Sequence, residues 1–396
     1  MDALAQPADL DLEWGDSEWA GPAWTVPVEP VAAGPLAAAA APVDPVVAVA
    51  ERLAEAALGM VDVLSVHLGD RLGLYRALAG AAATPAQLAH ATGSQPRYVL
   101  EWCRQQAVTG FLQSRPDGRY ALAPGVAEVL LDEHHLRYSA PLARMLAGLA
   151  VQVPRLVEAY RTGGGLRWAE FGADVREARA AARRPWFESA LVDAVNSEPR
   201  LAARFASAGR IADIGCRAAW SSIAMARGWP AAEVVGFEGD ELSVVLARDN
   251  VHAAGLRGRV EIRRSGLADL AGTAAPGAVG GFDLVTAFDS VHETPHPVAV
   301  LRAAREALAP GGAVLVVEEA VGDVPGPVGD PAERMLHGLS LLGSLPDAMT
   351  AGGSAATGTV MRPATLATYA GEAGFSVVEP LPVQGCARLG FTLLLP

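Results

Sequence analysis

The sequence contains no lysine, so all 31 of its basic residues are arginines. This absence excludes a lysine Schiff base and a phosphate-binding loop of the Walker type, because both chemistries need the lysine amine. Aromatic residues are also scarce at 6%, whereas hydrophobic residues make up 51% of the chain. With 396 residues, the chain is long enough for two or three domains and for a large core.

Positive charge is in deficit, since the 44 acidic residues give a net charge of −13. An acidic surface argues against binding to nucleic acid or to anionic membranes. The three cysteines are scattered without metal-ligand spacing, and His134 and His135 are adjacent, so we expect no metal site. No basic leader and no long apolar run is present, which predicts a cytoplasmic protein without a membrane span.

Residues 1–44 form an acidic lead rich in proline and alanine, a composition typical of disorder. Within it, Trp14, Trp19 and Trp24 are evenly spaced among acidic residues. Two interpretations stay open: the lead lies against its own folded domain, or it is a docking segment for a partner protein.

Residues 45–150 change to a helical pattern. Apolar residues recur at three- and four-residue spacing from Val49 to Leu78, and Thr84-Pro85 begins a short helix that ends at Gly93. A helix from Pro96 and two short strands around a Pro-Asp-Gly turn follow. This order predicts a winged-helix domain. Because its second helix carries little net positive charge, we expect a role in dimerisation rather than DNA binding.

From residue 206 the pattern alternates between apolar strands and helices. We predict five strands and a closing antiparallel hairpin, which lie in RIADIG, VVGFE, RVEIRR, FDLVTAF, GAVLVVEEA and the segment from FSVVEP to LGFTLLLP. The alternation is typical of a parallel sheet with helices on both faces. We therefore predict an α/β fold with a seven-stranded Rossmann-like sheet over 206–396, preceded by linker helices and a substrate lid at 151–205.

The turn after the first of these strands reads Asp213-Ile-Gly215-Cys-Arg217-Ala-Ala219. In open α/β sheets, ligands bind at the carboxyl ends of the strands, near this kind of turn. The next strand ends in Glu238, and an acidic residue at that position is suited to binding the two hydroxyls of a ribose.

Four stretches resemble motifs of the class I S-adenosylmethionine (SAM)-dependent methyltransferases: IADIGCRAAWSSIAMA, GFEGDELSVVLARDNVHAAGL, FDLVTAFDSVHE and LAPGGAVLVVEE. From about residue 49 onward, the chain resembles a group of actinobacterial methyltransferase-like proteins. The further matches are VHLGDRLGLYRAL, YVLEWCRQQAVTGFL, EAYRTGGG and SAATGTVMRPATL. The resemblance implies a methyltransferase sheet, a homodimer, and cofactor contacts from Asp213, Gly215 and Glu238.

The chain departs from this family where the cofactor would bind. Arg217 and Ala219 replace glycines that let the backbone approach a ligand and adopt positive φ. Gly266 stands where the family often has an acidic residue for adenine, and Asp269 follows three residues later. These changes predict impaired or absent binding of SAM, although a loop that flexes and still binds SAM stays open as the alternative.

The catalytic candidates follow the fourth strand of the sheet. His292 can exchange a proton near neutral pH, and Glu293 beside it can orient a substrate. A histidine that is packed and hydrogen-bonded to the backbone is an equally good interpretation from the residues alone, and the family resemblance favours function. For the substrate pocket we predict five residues: Tyr160, Trp186, Met335, His337 and Arg362.

Three functions are compatible with these features. The first is a methyltransferase-fold enzyme of secondary metabolism that no longer methylates and cyclises a lipophilic natural product, as pericyclase-like relatives do; it would need no cofactor, and His292 and Arg362 would hold and polarise the substrate. The second is an active SAM-dependent O-, N- or C-methyltransferase. The third is a non-catalytic regulator or partner protein.

Overall fold

The computed structural model describes residues 44–265, 281–386 and 388–396. Residues up to Ala54 separate from the compact unit Glu55–Pro396. The predictions for the acidic lead up to residue 43, with its three tryptophans, and those for Gly266 and Asp269 lie outside the described residues.

Helices and a short antiparallel strand pair form the first part of the chain. They are α1 (Pro45–Arg71), α2 (Leu74–Leu78), α3 (Pro85–Thr92), α4 (Pro96–Thr109), β1 (Leu112–Ser114) and β2 (Tyr120–Leu122). Helix α3 begins as predicted, because the Thr84 hydroxyl accepts from the Gln87 N–H and the Gln87 side chain accepts from the Thr84 N–H. The predicted order of helices and hairpin is present, while the winged-helix assignment and its dimerising role stay predictions.

A second set of helices connects this part to the sheet. It comprises α5 (Val126–Leu130), α6 (Ala140–Val151), α7 (Val153–Thr162), a 3₁₀ turn (Trp168–Phe171), α8 (Ala173–Ala182), α9 (Arg184–Ser189), α10 (Leu191–Asn196) and α11 (Pro199–Ser207). Helix α8 packs against α6. Helices are therefore present over 151–205, while their roles as a linker and a substrate lid stay predictions.

The rest of the chain alternates strands and helices. The elements are β3 (Arg210–Ile214), α12 (Trp220–Gly228), β4 (Glu233–Glu238), α13 (Glu241–Ala253), β5 (Val260–Arg264), β6 (Phe282–Phe288), α14 (Pro297–Glu306), β7 (Leu308–Glu319), α15 (Pro331–Leu339), a π-helical turn (Ser340–Ser344), α16 (Leu345–Ala348), α17 (Pro363–Glu372), β8 (Val377–Leu381) and β9 (Leu389–Leu395).

The seven strands β3–β9 form one sheet in the order β5-β4-β3-β6-β7-β9-β8. Strands β3 to β7 pair in parallel, and β9 pairs antiparallel with both β7 and β8. The predicted Rossmann-like sheet and its closing hairpin are confirmed.

Successive strand residues point to opposite faces of this sheet, as the two-residue period of a strand requires. On one face, Leu284 and Leu315 pack with residues of α12 and α13. On the other face, Val285 and Val316 pack with residues of α14 and α17. Both faces are buried, which explains why these strands read as nearly continuous apolar runs. Among the described residues, no helix combines the length and hydropathy that a membrane span needs.

Candidate functional site

The order of the strands reverses beside β3, because the chain runs from β3 outward to β5 and then returns to β6 on the other side. Such a switch point creates a crevice at the carboxyl ends of the strands. A cavity of about 570 Å³ opens there. It is lined by the turns after β3, β4 and β6 and is covered by residues of α6, α8 and the segment Leu339–Asp347.

Asp213, near the end of β3, is held inside the fold. Its carboxylate accepts hydrogen bonds from Ser221 Oγ at 2.6 Å, Ser222 Oγ at 2.5 Å and Thr286 Oγ1 at 3.1 Å. Burial raises its pKa, and these hydroxyls oppose the rise. Asp213 is 1% exposed and is absent from the cavity wall, so it ties β3 to α12 and β6 and does not face the cavity.

The turn after β3 keeps a glycine-like backbone although two of its residues are not glycine. Gly215, Arg217 and Ala219 have φ values of 66°, 50° and 65°. A Cβ on Gly215 would lie 2.7 Å from the Cβ of Ser290, so this position needs glycine for space as well as for conformation. At Arg217 and Ala219 a Cβ is accepted in a strained conformation.

The side chain of Arg217 extends into the wall of the cavity. Its Nη2 donates to the carbonyl oxygen of Asp289 and to Glu293 Oε2, the latter at 2.8 Å. Only 19% of the Arg217 side chain is exposed. The guanidinium therefore links the turn after β3 to the turn after β6, across the carboxyl edge where a cofactor of this fold would lie.

Glu238, at the end of β4, also lines the cavity. Its Oε2 accepts from the Arg217 N–H at 3.0 Å and its Oε1 from the Asp240 N–H at 2.8 Å. Burial raises its pKa. A carboxylate has about four acceptor sites, so backbone groups use two and leave two for a ligand.

A cluster of buried ions supports this wall. Arg183 donates from Nε to Asp289 Oδ2 at 2.7 Å and also binds Glu319. Although burial alone would raise the pKa of Asp289, Arg183 and Arg217 hold it at about 2. Burial and the nearby Arg217 lower the pKa of Arg179 to about 9, and Arg179 donates to Glu293 Oε1.

The two predicted catalytic residues occupy different positions. Glu293 lines the cavity, where it binds Arg179 and Arg217. His292 is 1% exposed and is absent from the cavity wall. Its Nδ1 is hydrogen-bonded to Glu318, whose carboxylate also accepts from the Val291 and His292 N–H groups. His292 is therefore packed, but its ring is bonded to a carboxylate and not to the backbone, and its Nε2 lies 3.9 Å from Glu293 Oε1.

The five predicted substrate residues do not line the cavity in the described part of the chain. Tyr160 is 64% exposed and donates to the carbonyl of Leu341, and Trp186 packs against Phe187 and Phe288 in the core. Met335 and His337 lie on α15, and this part of the chain lines the cavity only from Leu339, the last residue of that helix, onward. Arg362 is held by the carbonyls of Gly322 and Val324 and by Glu333.

Three arginines that were not predicted from the sequence belong to the site: Arg176, Arg179 and Arg183. Arg176 and Arg179 lie on α8 and Arg183 is the residue that ends it, at spacings of three and four residues. That spacing places them on one helical face, and the sequence alone indicated this shared face. Their acidic partners lie 64 to 136 residues away, in the turns after β4 and β6 and at the end of β7, so the sequence did not indicate the pairing.

No group of three or more His, Cys, Asp or Glu side chains in the described residues could hold a metal ion.

Comparisons with known proteins agree with this geometry. A family model described as a methyltransferase domain matches residues 152–380, which is more than half of the chain. No curated protein matches the sequence significantly.

Solved structures resemble it over nearly the whole chain. The mitomycin 7-O-methyltransferase MmcR has a TM-score of 0.69 and 18% identity, covering 88% of this chain and 98% of its own. The dimethyltransferase RosA from Streptomyces davawensis has a TM-score of 0.58 and 19% identity, covering 88% and 99%. NcsB1, an O-methyltransferase from neocarzinostatin biosynthesis solved with SAM and 2-hydroxy-5-methyl naphthoic acid, has a TM-score of 0.57 and 19% identity, covering 84% and 95%. The fold is shared, and by its matching domain the chain belongs to the methyltransferase family.

Proposed function

We propose that this chain is a methyltransferase-fold enzyme of secondary metabolism that does not transfer a methyl group from SAM. It holds a lipophilic small molecule in the cavity and promotes its cyclisation or rearrangement. One observation carries the proposal: the Arg217 guanidinium bridges Asp289 and Glu293 across the turn where a cofactor of this fold would lie.

The residues of the turn fit SAM poorly. A nucleotide-type cofactor needs a turn whose backbone it can approach closely, and glycine usually permits this approach. Here a side chain with two hydrogen-bonding partners stands at that place, so a cofactor would have to break both contacts. Glu238 still has free acceptor capacity for a ribose, so the conflict lies at Arg217.

The cavity suits a different kind of catalysis. Apolar side chains of Met145, Leu149 and Val175 line it beside the guanidinium groups of Arg179 and Arg217. Apolar walls hold a lipophilic substrate in a reactive conformation, and fixed N–H donors stabilise negative charge that develops on a carbonyl oxygen. Because His292 is absent from the wall, Arg179 and Arg217 take the polarising role first considered for His292 and Arg362.

Calorimetric titration with SAM and with its demethylated product tests the proposal. We expect no saturation of the wild-type protein at millimolar ligand. The double substitution Arg217→Gly with Ala219→Gly should strengthen binding by at least about tenfold, or about 1.4 kcal/mol. Arg257→Gly, at an exposed turn residue, is the matched control and should leave binding unchanged. Micromolar binding to the wild-type protein would refute the proposal.

The second candidate is an active SAM-dependent methyltransferase. A specific observation favours it: the backbone at Arg217 and Ala219 keeps the positive φ values of a glycine turn, and Gly215 and Glu238 are retained. Relatives of the same fold were solved with SAM or SAH, which adds support. If the titration shows tight binding, a methyl-transfer assay with labelled SAM and candidate phenols decides this case.

We also propose a homodimer, supported by the exposed apolar residues Leu58, Met60 and Val61 on α1. Light scattering coupled to size-exclusion chromatography checks it: the wild-type protein should have twice the chain mass, and a triple substitution of these residues to glutamate should halve it. The cytoplasmic location and the docking role of Trp14, Trp19 and Trp24 stay predictions.

A further inference from the structure

Glu293 occupies an unusual position in the cavity wall. Its carboxylate lies between two guanidinium groups, with Oε1 accepting from Arg179 Nη2 and Oε2 from Arg217 Nη2. The side chains of Glu293, Arg179 and Arg217 are 28%, 20% and 19% exposed. The two arginines thus form a clamp around one carboxylate at the edge of the cavity.

The clamp presents two guanidinium groups to one carboxylate. Each oxygen of Glu293 accepts from one of them, and Arg183 holds the nearby carboxylates of Asp289 and Glu319. The Nε atom of Arg179 is buried and has no hydrogen-bond partner among the described residues. Burial and the charge of Arg217 also lower the pKa of Arg179 to about 9. A ligand carboxylate in the place of Glu293 would be stabilised by both guanidiniums.

Glu293 lies in the irregular segment between β6 and α14, and Arg217 in the turn after β3, whereas Arg179 belongs to α8. Beside the clamp, the wall is formed by apolar side chains of Met145, Leu149 and Val175.

We propose that the ligand of this cavity carries a carboxylate, which takes the place of Glu293 between Arg179 and Arg217 while its apolar body packs against Met145, Leu149 and Val175. The inference rests on the proposed function only in treating the cavity as the substrate site. It adds the substrate class: lipophilic carboxylic acids in preference to their neutral analogues. Glu293 then acts as an internal competitor that fills the clamp until the ligand arrives.

Two probes of matched shape and different charge test the proposal. We would titrate the full chain with 2-naphthoate and with the neutral 2-naphthamide in the absence of SAM, using calorimetry or ligand-observed NMR. Naphthoate should bind at least about tenfold more tightly than naphthamide, since both guanidiniums engage the carboxylate.

Two substitutions should shift this preference in opposite directions. Glu293→Gln removes the competing charge and keeps the shape, so it should strengthen naphthoate binding about tenfold and change naphthamide binding little. Arg217→Met should weaken naphthoate binding by a similar factor. Arg97→Met is the control, since Arg97 lies on α4, does not line the cavity, is 70% exposed and pairs with Glu101. It should leave the preference intact.

Equal binding of the two probes, or no naphthoate binding by Glu293→Gln, would overturn the carboxylate site. The Glu293→Gln result decides the matter even where Arg217→Met fails to fold. Tight SAM binding together with an intact naphthoate preference would remove the non-methylating function and leave the carboxylate site standing, so the two proposals fail separately.

Discussion

The turns after β3 and β6 lie side by side at the carboxyl edge of the sheet, and both contain a non-glycine residue at positive φ. These residues are Arg217 at 50° and Asp289 at 46°. The turns are stabilised in different ways. Backbone groups hold the turn after β3: the Gly215 and Cys216 N–H groups donate to the carbonyl of Phe237, and the Arg217 N–H donates to Glu238.

The turn after β6 depends on charged side chains. Asp289 binds Arg183, Glu293 binds Arg179 and Arg217, and Glu318 accepts from the Val291 N–H. A turn held by its backbone keeps its shape when its side chains change, which explains how Arg217 and Ala219 adopt positive φ in the turn after β3. A turn held by buried ions is sensitive to every charge that it contains.

The largest expected effect comes from Arg183→Met, which breaks the ion pairs behind the turn after β6. The buried Asp289 and the half-buried Glu319 would lose this cation, so we expect a loss of about 3–5 kcal/mol in the free energy of unfolding. Urea denaturation measures it. The control is Arg200→Met, because Arg200 pairs with Glu379 at an exposed site and its loss should leave stability unchanged. Equal effects of the two substitutions would contradict the comparison.

Gly215→Ala should destabilise the turn after β3, because the backbone hydrogen bonds of this turn cannot make room for an added methyl group. Positive φ and the close Cβ of Ser290 act together, and we expect a loss of about 2–4 kcal/mol. Gly73→Ala is the matched control, because Gly73 has a φ of 72° and a methyl group added there would meet no atom within 4 Å. It should cost about 1 kcal/mol from the backbone alone. Thermal unfolding measures both variants, and the difference between their losses of stability gives the contribution of the steric contact with Ser290.

The pH dependence of stability should report on Asp289. Its pKa in the folded protein is about 2, against an ordinary value near ~3.9. Its contribution is therefore present above about pH 4 and is lost as the pH falls through about 2, with a size on the order of 2 kcal/mol. Denaturation curves between these pH values should show this slope in the wild-type protein and a smaller one in Arg183→Met. An unchanged slope would show that Arg183 does not hold the pKa of Asp289 down.

The smallest expected effect comes from replacing Ala219, which has positive φ, and comparing it with an alanine in an ordinary helix. Ala219→Gly should be neutral or stabilise the protein by about 0.5–1 kcal/mol, because glycine relieves positive φ at 65°. Ala224→Gly, inside α12, should instead destabilise the protein by about 1 kcal/mol. Thermal unfolding compares them. A loss of stability in both variants would mean that the Ala219 methyl contributes more packing than strain.

Much of the fold was predictable from the sequence because its signals are local. Apolar strand segments and their helices specified the sheet, and Thr84 with Gln87 specified the start of α3. The position of the cavity followed from the turn after β3 and from Glu238. The roles of individual side chains were less accessible. Asp213 was predicted to bind the cofactor, but three hydroxyls hold it inside the fold.

By itself, the sequence determined the alternation of strands and helices, the family, and the presence of Arg217 and Ala219 in the turn after β3, since each is recorded in a short stretch of residues. Tertiary structure alone decided where the Arg217 guanidinium lies, that Glu293 faces the cavity while His292 does not, and that Arg183 supports the wall. The physical reason is range: hydrogen bonds between residues 72 to 136 positions apart depend on how the helices pack over the sheet, which no local pattern encodes.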